Sequence, residues 1–76
     1  MNNARRKVIT KVQAMLSEAR EALGEIIEQE QESYDNMPES LQQGEKGERA
    51  EEVIAQLEEA ISSIEQAEDN LTDASS

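Results

Sequence analysis

The chain contains no cysteine and no histidine among its 76 residues. Without cysteine no disulfide can form, and without either residue the usual zinc and other soft-metal sites cannot be built. The same absence removes the common pairings of a nucleophile with a histidine base, on which hydrolysis and acyl transfer depend. We therefore expect no enzymatic activity, no cofactor and no metal site.

Aromatic side chains and helix-breaking residues are also scarce. Tyr34 is the only aromatic residue and Pro38 the only proline. The remaining apolar residues are alanine, isoleucine, leucine, valine and methionine, which suit packed helices. A chain of this length forms one domain at most and is short for burying a stable core. Self-association is the expected remedy, because no disulfide or zinc site can supply the missing stability.

No apolar run approaches the roughly 20 residues that span a bilayer. The basic start Arg5, Arg6, Lys7 is followed by an amphipathic pattern instead of the apolar block of a signal peptide. The sequence therefore predicts no membrane association and a cytoplasmic location.

Basic residues are few: seven stand against eighteen acidic ones, for a formal net charge of −11. This balance opposes direct binding to nucleic acid or to anionic membranes and favours a protein partner with a basic surface. Residues 21–45 hold eight acidic residues and no basic one. Two interpretations of this acidic segment stay open. Composition favours a solubilising surface, and the functional alternative is contact with a basic partner groove or imitation of a nucleic-acid backbone.

Two long stretches carry apolar residues at steps of three and four, which is typical of one helix face. We predict an all-α, antiparallel helical hairpin in a single domain 1–76, with helix 4–34, elbow 35–47 and helix 48–73. Asn2 or Asn3 can cap the first helix. Placing the turn at Ser40 sets Leu23 near Leu57. The predicted seam of the second helix has two heptad series, Ala50, Leu57, Ile64, Leu71 and Val53, Ala60, Ala67, Ala74.

Further apolar residues flank this predicted seam, and a single hairpin would leave some of them exposed: Ile9, Leu16, Leu23, Ile54 and Ile61. Pairing of two hairpins into a four-helix bundle would cover them, so a homodimer is the preferred assembly. A partner protein could cover the same strip instead. Alanines at 19, 22, 60 and 67 are expected to let the helix backbones approach closely, and Gly24 is placed off the seam.

The basic residues cluster near the start of the chain. In an antiparallel hairpin, Arg5, Arg6, Lys7 and Lys11 would face the acidic side chains Glu65, Glu68, Asp69 and Asp73. The alternative is that a ligand phosphate binds there, with Arg5, Arg6, Lys7, Lys11 and Arg20 as candidate contacts.

The connector between the helices, "SYDNMPESLQQGEKGER", has its own pattern. Asn36 followed by Glu39 fits a capping box with Pro38 in the first turn, which predicts one or two helical turns stopped at Gly44. Tyr34, Met37 and Leu41 are spaced to close the end of the seam, or alternatively to anchor a partner. The candidate partner-binding residues are Tyr34, Asp35, Met37, Glu39, Leu41, Glu45 and Glu48.

The segment 28–71 resembles a group of small acidic helical proteins from phage and prophage genomes. The resemblance is carried by the connector "DNMPESLQ" and by Glu45 and Glu48 after it. It implies a phage accessory protein in the cytoplasm of a host bacterium, and such proteins often inhibit host defence proteins. The function we expect is binding and inhibition of a host protein through the acidic surface. The alternatives are an oligomeric sponge for a cyclic nucleotide, with Tyr34 stacking on a base, and a structural or assembly protein.

Overall fold

The computed structural model describes all 76 residues and contains three helices and no strand. They are α1 (Asn3–Asp35), α2 (Glu39–Gln42) and α3 (Glu45–Ser75). Helices α1 and α3 pack side by side in opposite directions over an extent of 58 × 15 × 12 Å, and the short α2 forms the elbow. This confirms the predicted all-α helical hairpin. None of the three helices combines the length and apolar character that a bilayer crossing needs.

The ends of α1 follow from local hydrogen bonding. At the start, the Asn2 side chain accepts a hydrogen bond of 2.8 Å from the backbone N–H of Arg5, as predicted. At the other end, the backbone N–H of Asn36 donates to the Glu32 carbonyl at 3.0 Å, and Pro38 then prevents the helix from continuing. Asn36 is therefore the C-cap of α1. The predicted capping box is wrong, because Pro38 precedes α2 and no side chain caps that helix.

Helix α3 begins at Glu45, three residues before the predicted position, so the elbow is shorter than residues 35–47. Gly47 lies in the first turn of α3 and is buried. A Cβ built on Gly47 would overlap the backbone carbonyl of Gln42. The end of α2 thus packs directly on the start of α3, and only glycine allows this distance between the two backbones.

The register of the hairpin differs from the prediction by roughly one heptad. Turning at Ser40 would place Arg20 level with Ala60, but Arg20 pairs with Glu68 at 2.8 Å, and Gln13 donates to Thr72 at 3.4 Å. The turn is therefore centred between Gln42 and Gly44. The reason is that α2 packs on the first turn of α3, so this turn extends past the end of α1, and Tyr34 in the last turn of α1 lies level with Glu51.

The seam of α3 also differs from the prediction. Ile54, predicted as a flanking residue, is 8 % exposed and is one of two buried apolar residues, Ala50 being the other. Ala74, predicted on the seam, is exposed. The buried and half-buried face of α3 repeats at steps of three and four: Gly47, Ala50, Ile54, Leu57, Ile61, Ile64, Glu68, Leu71 and Ser75. The series Val53, Ala60, Ala67 is turned toward one side of the hairpin.

On α1 the corresponding face includes polar side chains. Its half-buried heptad positions are Ile9, Gln13, Leu16, Arg20, Leu23, Ile27, Glu30 and Tyr34. Ala19 and Ala22, predicted at the close approach of the helices, are exposed, and Gly24, predicted off the seam, is half-buried beside it. These differences between the observed and the predicted seam have one physical cause. The apolar arc of each helix is wider than a two-helix seam, and the register selects which part of the arc is covered.

The hairpin exposes more surface than a compact protein of its mass. Its accessible surface is 5720 Å², whereas the scaling for compact monomers gives roughly 4,700 Å². Its radius of gyration is 17.3 Å, against about 11 Å for a compact domain of this length. A single copy therefore leaves on the order of 1,000 Å² more surface exposed than a chain of this size usually does.

Candidate partner-binding surface

Tyr34 and Glu51 join the two long helices near the elbow. Tyr34 lies in the last turn of α1 and Glu51 in the second turn of α3, and the Tyr34 hydroxyl donates a hydrogen bond of 2.7 Å to Glu51 Oε1. This hydrogen bond, together with partial desolvation and the charge of the carboxylate, raises the pKa of the Tyr34 phenol above its ordinary value. The phenol is therefore held in its neutral, donating form.

An open groove of about 530 Å³ adjoins this pair. Ile54 and Ala55 supply its apolar lining, and Glu51, Glu58 and Glu59 supply three carboxylates. Gln31, Tyr34 and Ser62 complete the lining, which contains no basic side chain. We call this the acidic groove. Its chemistry suits a segment that presents lysine or arginine beside apolar side chains.

A second groove of about 330 Å³ lies at the elbow on the other side of the seam. Met37 and Val53 are among its apolar residues, and its charged residues are Glu30, Glu45, Lys46 and Arg49. Because acidic and basic side chains occur there in equal number, this groove has no net preference for a basic or an acidic partner.

The predicted partner-binding residues do not form one site. Tyr34 lines the acidic groove, whereas Met37 and Glu45 line the elbow groove. Asp35 accepts a hydrogen bond of 3.0 Å from Gln31, and Glu39 accepts one of 3.5 Å from Gln43. The others, Leu41 and Glu48, are exposed and line neither groove.

The sequence reasoning missed Glu51, Glu58 and Glu59. A usable signal was present, because Glu51, Glu58 and Glu65 recur every seven residues and therefore lie along one side of α3. The unusual residue types of the connector give a stronger sequence signal at positions 34–48.

Arg20 is the one predicted phosphate contact that lies in the seam. It forms a hydrogen-bonded ion pair with Glu68, and this contact raises the pKa of the Arg20 guanidinium. The surrounding groove is lined by Arg20 with Glu65, Glu68 and Asp69. Three carboxylates around one guanidinium that is already paired with Glu68 disfavour the binding of a phosphate.

The other four basic residues of the N-terminal cluster, Arg5, Arg6, Lys7 and Lys11, are exposed and form no ion pair. The prediction that they face Glu65, Glu68, Asp69 and Asp73 is wrong. The register explains this, because the Arg20–Glu68 and Gln13–Thr72 contacts place Ser76 level with residues 9–12 of α1. The first two turns of α1 consequently extend past the end of α3.

The contacts proposed for a nucleotide also lie apart in a single chain. Lys11 and Tyr34 are separated by about 35 Å along α1 at the rise of 1.5 Å per residue.

No group of three or more acidic side chains has the arrangement that holds a metal ion.

A comparison of the chain with protein-family models, curated proteins and solved structures found no match.

Titration of the single tyrosine tests the contact between the helices. Because Tyr34 is the only aromatic residue, phenolate absorbance near 295 nm reports on it alone. We expect a midpoint above the ordinary value of about 10 in the folded protein and a midpoint near that value in urea. Since the folded state holds the proton more tightly, this contribution to stability is complete below pH 10 and is lost as the pH rises through the folded midpoint.

The matched variant is Glu51→Gln, which keeps a hydrogen-bond acceptor and removes the charge. It should move the midpoint of the folded protein back toward the urea value. A folded wild-type midpoint at or below the urea value would show that Tyr34 does not donate to Glu51.

Proposed function

We propose that this protein is a non-enzymatic phage accessory protein that binds a host protein with a basic surface and blocks its activity. The observation that carries the proposal is the acidic groove, in which three carboxylates and two apolar residues occur without any basic side chain. Such a lining attracts a cationic segment electrostatically and can bury its apolar side chains at the same time.

The shape of the acidic groove favours a protein segment over a small ligand. Glu51, Ala55, Glu58 and Ser62 follow one another at steps of four and three along α3, so they form a strip on one helix face. The strip covers three turns of helix and is open to solvent. A basic amphipathic helix laid along it would find carboxylates alternating with the small side chains Ala55 and Ser62 in the same period.

The phage origin, the host target and the location in the bacterial cytoplasm rest on the connector "DNMPESLQ" and its resemblance to small phage proteins. They are part of the same proposal. The nucleotide sponge has weaker support, because a single chain keeps Tyr34 and the N-terminal basic residues far apart.

We also propose that the hairpin functions as a homodimer that forms a four-helix bundle. Only three of the 76 residues are buried in a single copy. A chain without disulfides needs further apolar burial to be stable at this length, and a second copy can supply it.

Affinity capture from a bacterial lysate tests the proposed function. With the wild-type protein as bait at low salt, we expect one host protein to be recovered at a stoichiometric level and to be released by about 0.5 M salt, since ionic contacts are screened at that concentration. Recovery of no stoichiometric partner from lysates of several candidate hosts would contradict the proposal. A partner that stays bound at about 0.5 M salt would contradict the electrostatic basis of the interaction.

A further inference from the structure

A second apolar stripe runs along α1 beside the seam, and no part of the chain covers it. Val8, Met15 and Ile26 are 59 %, 65 % and 42 % exposed. The spacing of four and three residues keeps all members of the stripe on one helix face. They are Val8, Val12, Met15, Ala19, Ala22 and Ile26.

Helix α3 adds apolar residues to the same side of the hairpin. Val53, Ala60 and Ala67 are half-buried and seven residues apart. Val53 and Glu51 point about 200° apart around α3, and Glu51 lies in the acidic groove. Val53 instead lines the elbow groove on the other side of the seam. The α1 stripe and the α3 series together form one surface, the apolar face, opposite the acidic groove.

Charge is divided sharply along the hairpin. Residues 21–59, the half of the hairpin nearer the elbow, hold thirteen of the eighteen acidic residues and two of the seven basic ones. This half, called the distal half, carries the whole net charge of −11. The remaining residues hold five of each sign. The unpaired Arg5, Arg6 and Lys7 lie on the part of α1 that extends past the end of α3.

We propose that the apolar face is covered by the same face of a second copy, with the two hairpins running in opposite directions. The inference rests on the proposed homodimer and adds its interface and its orientation. Side-by-side hairpins in the same direction would place two distal halves of −11 next to each other, which is strongly unfavourable. In the opposite arrangement, the extended basic turns of each copy lie beside the acidic half of the other.

The excess exposed area of a single hairpin is comparable to the area that one partner buries in a stable dimer. A standard interface removes about 800 Å² from each partner, and a single hairpin exposes on the order of 1,000 Å² more than a compact chain of its mass. Pairing through the apolar face also leaves both acidic grooves exposed, on opposite sides of the four-helix bundle. The dimer would therefore present two copies of the proposed partner-binding surface.

Two alanine-to-glutamate variants test the assigned face by sedimentation equilibrium. Ala19 lies in the middle of the apolar face and Ala55 on the acidic side, and both are exposed helical residues in the single hairpin. We expect a wild-type dimer, and we expect Ala19→Glu to raise its dissociation constant on the order of 100-fold, because each copy buries an unpaired carboxylate. Ala55→Glu should change it by less than about threefold. Circular dichroism checks that both variants remain helical.

A single spin label tests the orientation. The chain has no cysteine, so Glu39→Cys introduces one labelling site, at the exposed elbow. In the opposite arrangement the two elbows lie at the two ends of the bundle, about 50 Å apart, because α1 has 33 residues at a rise of 1.5 Å each. In the same-direction arrangement they would be within about 30 Å of each other.

Each outcome bears on a different part of the inference. A wild-type protein that stays monomeric at millimolar concentration would overturn the homodimer and the inference together. A dimer that survives Ala19→Glu would overturn the assigned face while leaving the proposed homodimer in place. A label separation below about 30 Å would overturn the orientation alone.

Discussion

Gly47→Ala is expected to destabilise the folded protein by about 2–3 kcal/mol, the upper part of the usual range for overpacking. The added Cβ would overlap the backbone of Gln42, and backbone cannot move aside as a flexible side chain can. Relief requires α2 to move away from α3. For a domain of this size the loss corresponds to a fall in Tm of roughly 10–20 °C, which thermal unfolding monitored by circular dichroism at 222 nm would measure.

Gly24→Ala is the matched control, because it makes the same chemical change inside a helix. A Cβ built on Gly24 meets no atom within 4 Å. Replacing a glycine in a helix interior by alanine should therefore stabilise the protein by about 0.5–1 kcal/mol. The two substitutions should move Tm in opposite directions. A Gly47→Ala protein as stable as wild type would show that the contact between α2 and α3 is not tight.

Ile54→Ala is expected to cost about 2–4 kcal/mol, because it removes three carbon atoms from the most buried large side chain of the seam. With only Ala50 and Ile54 as buried apolar residues, the seam has little capacity to compensate. The loss should be similar at all protein concentrations, since Ile54 packs within one hairpin. Urea unfolding at several concentrations, from about 1 to 100 μM, would measure it.

Ile26→Ala removes the same atoms from the apolar face and gives a different signature. Ile26 is 42 % exposed in the single hairpin, so its truncation should cost less than about 1 kcal/mol at low concentration. Wild-type stability should rise with protein concentration through dimer formation, and Ile26→Ala should weaken that rise. Equal losses for the two variants at every concentration would contradict the distinction between seam and apolar face.

Apolar periodicity predicted the two long helices, and their length together with the short connector predicted the antiparallel pairing. The helical turn before Gly44 was predicted from the residue types of the connector. Periodicity did not predict which apolar residues are covered. Val53 and Ile54 are adjacent in a wide apolar arc, and both fit a heptad series. Choosing between them requires the register, which depends on how many residues the elbow uses. Because α2 packs on Gly47, the register depends on a tertiary contact that cannot be read from the pattern of the helices alone.

The candidate site was less predictable than the fold. Tyr34 was predicted to close the end of the seam or to anchor a partner, but the residue that it contacts, Glu51, is seventeen residues away and is one of several glutamates on α3. Which glutamate it meets again follows from the register. The N-terminal basic cluster shows the same dependence, because a different register would place these residues beside the acidic end of α3 instead of past it.

The most direct test of the proposed function compares two variants, each with three glutamates replaced by glutamine, for binding to the protein recovered by affinity capture. The first form lacks the three carboxylates of the acidic groove and carries Glu51→Gln, Glu58→Gln and Glu59→Gln. The second form has the same change in net charge at exposed positions of α1 that line no groove, and carries Glu18→Gln, Glu25→Gln and Glu32→Gln. Calorimetric titration should show a loss of affinity of at least about 30-fold for the first form and less than about threefold for the second. Equal affinity of both forms would contradict the assignment of the acidic groove as the partner-binding surface.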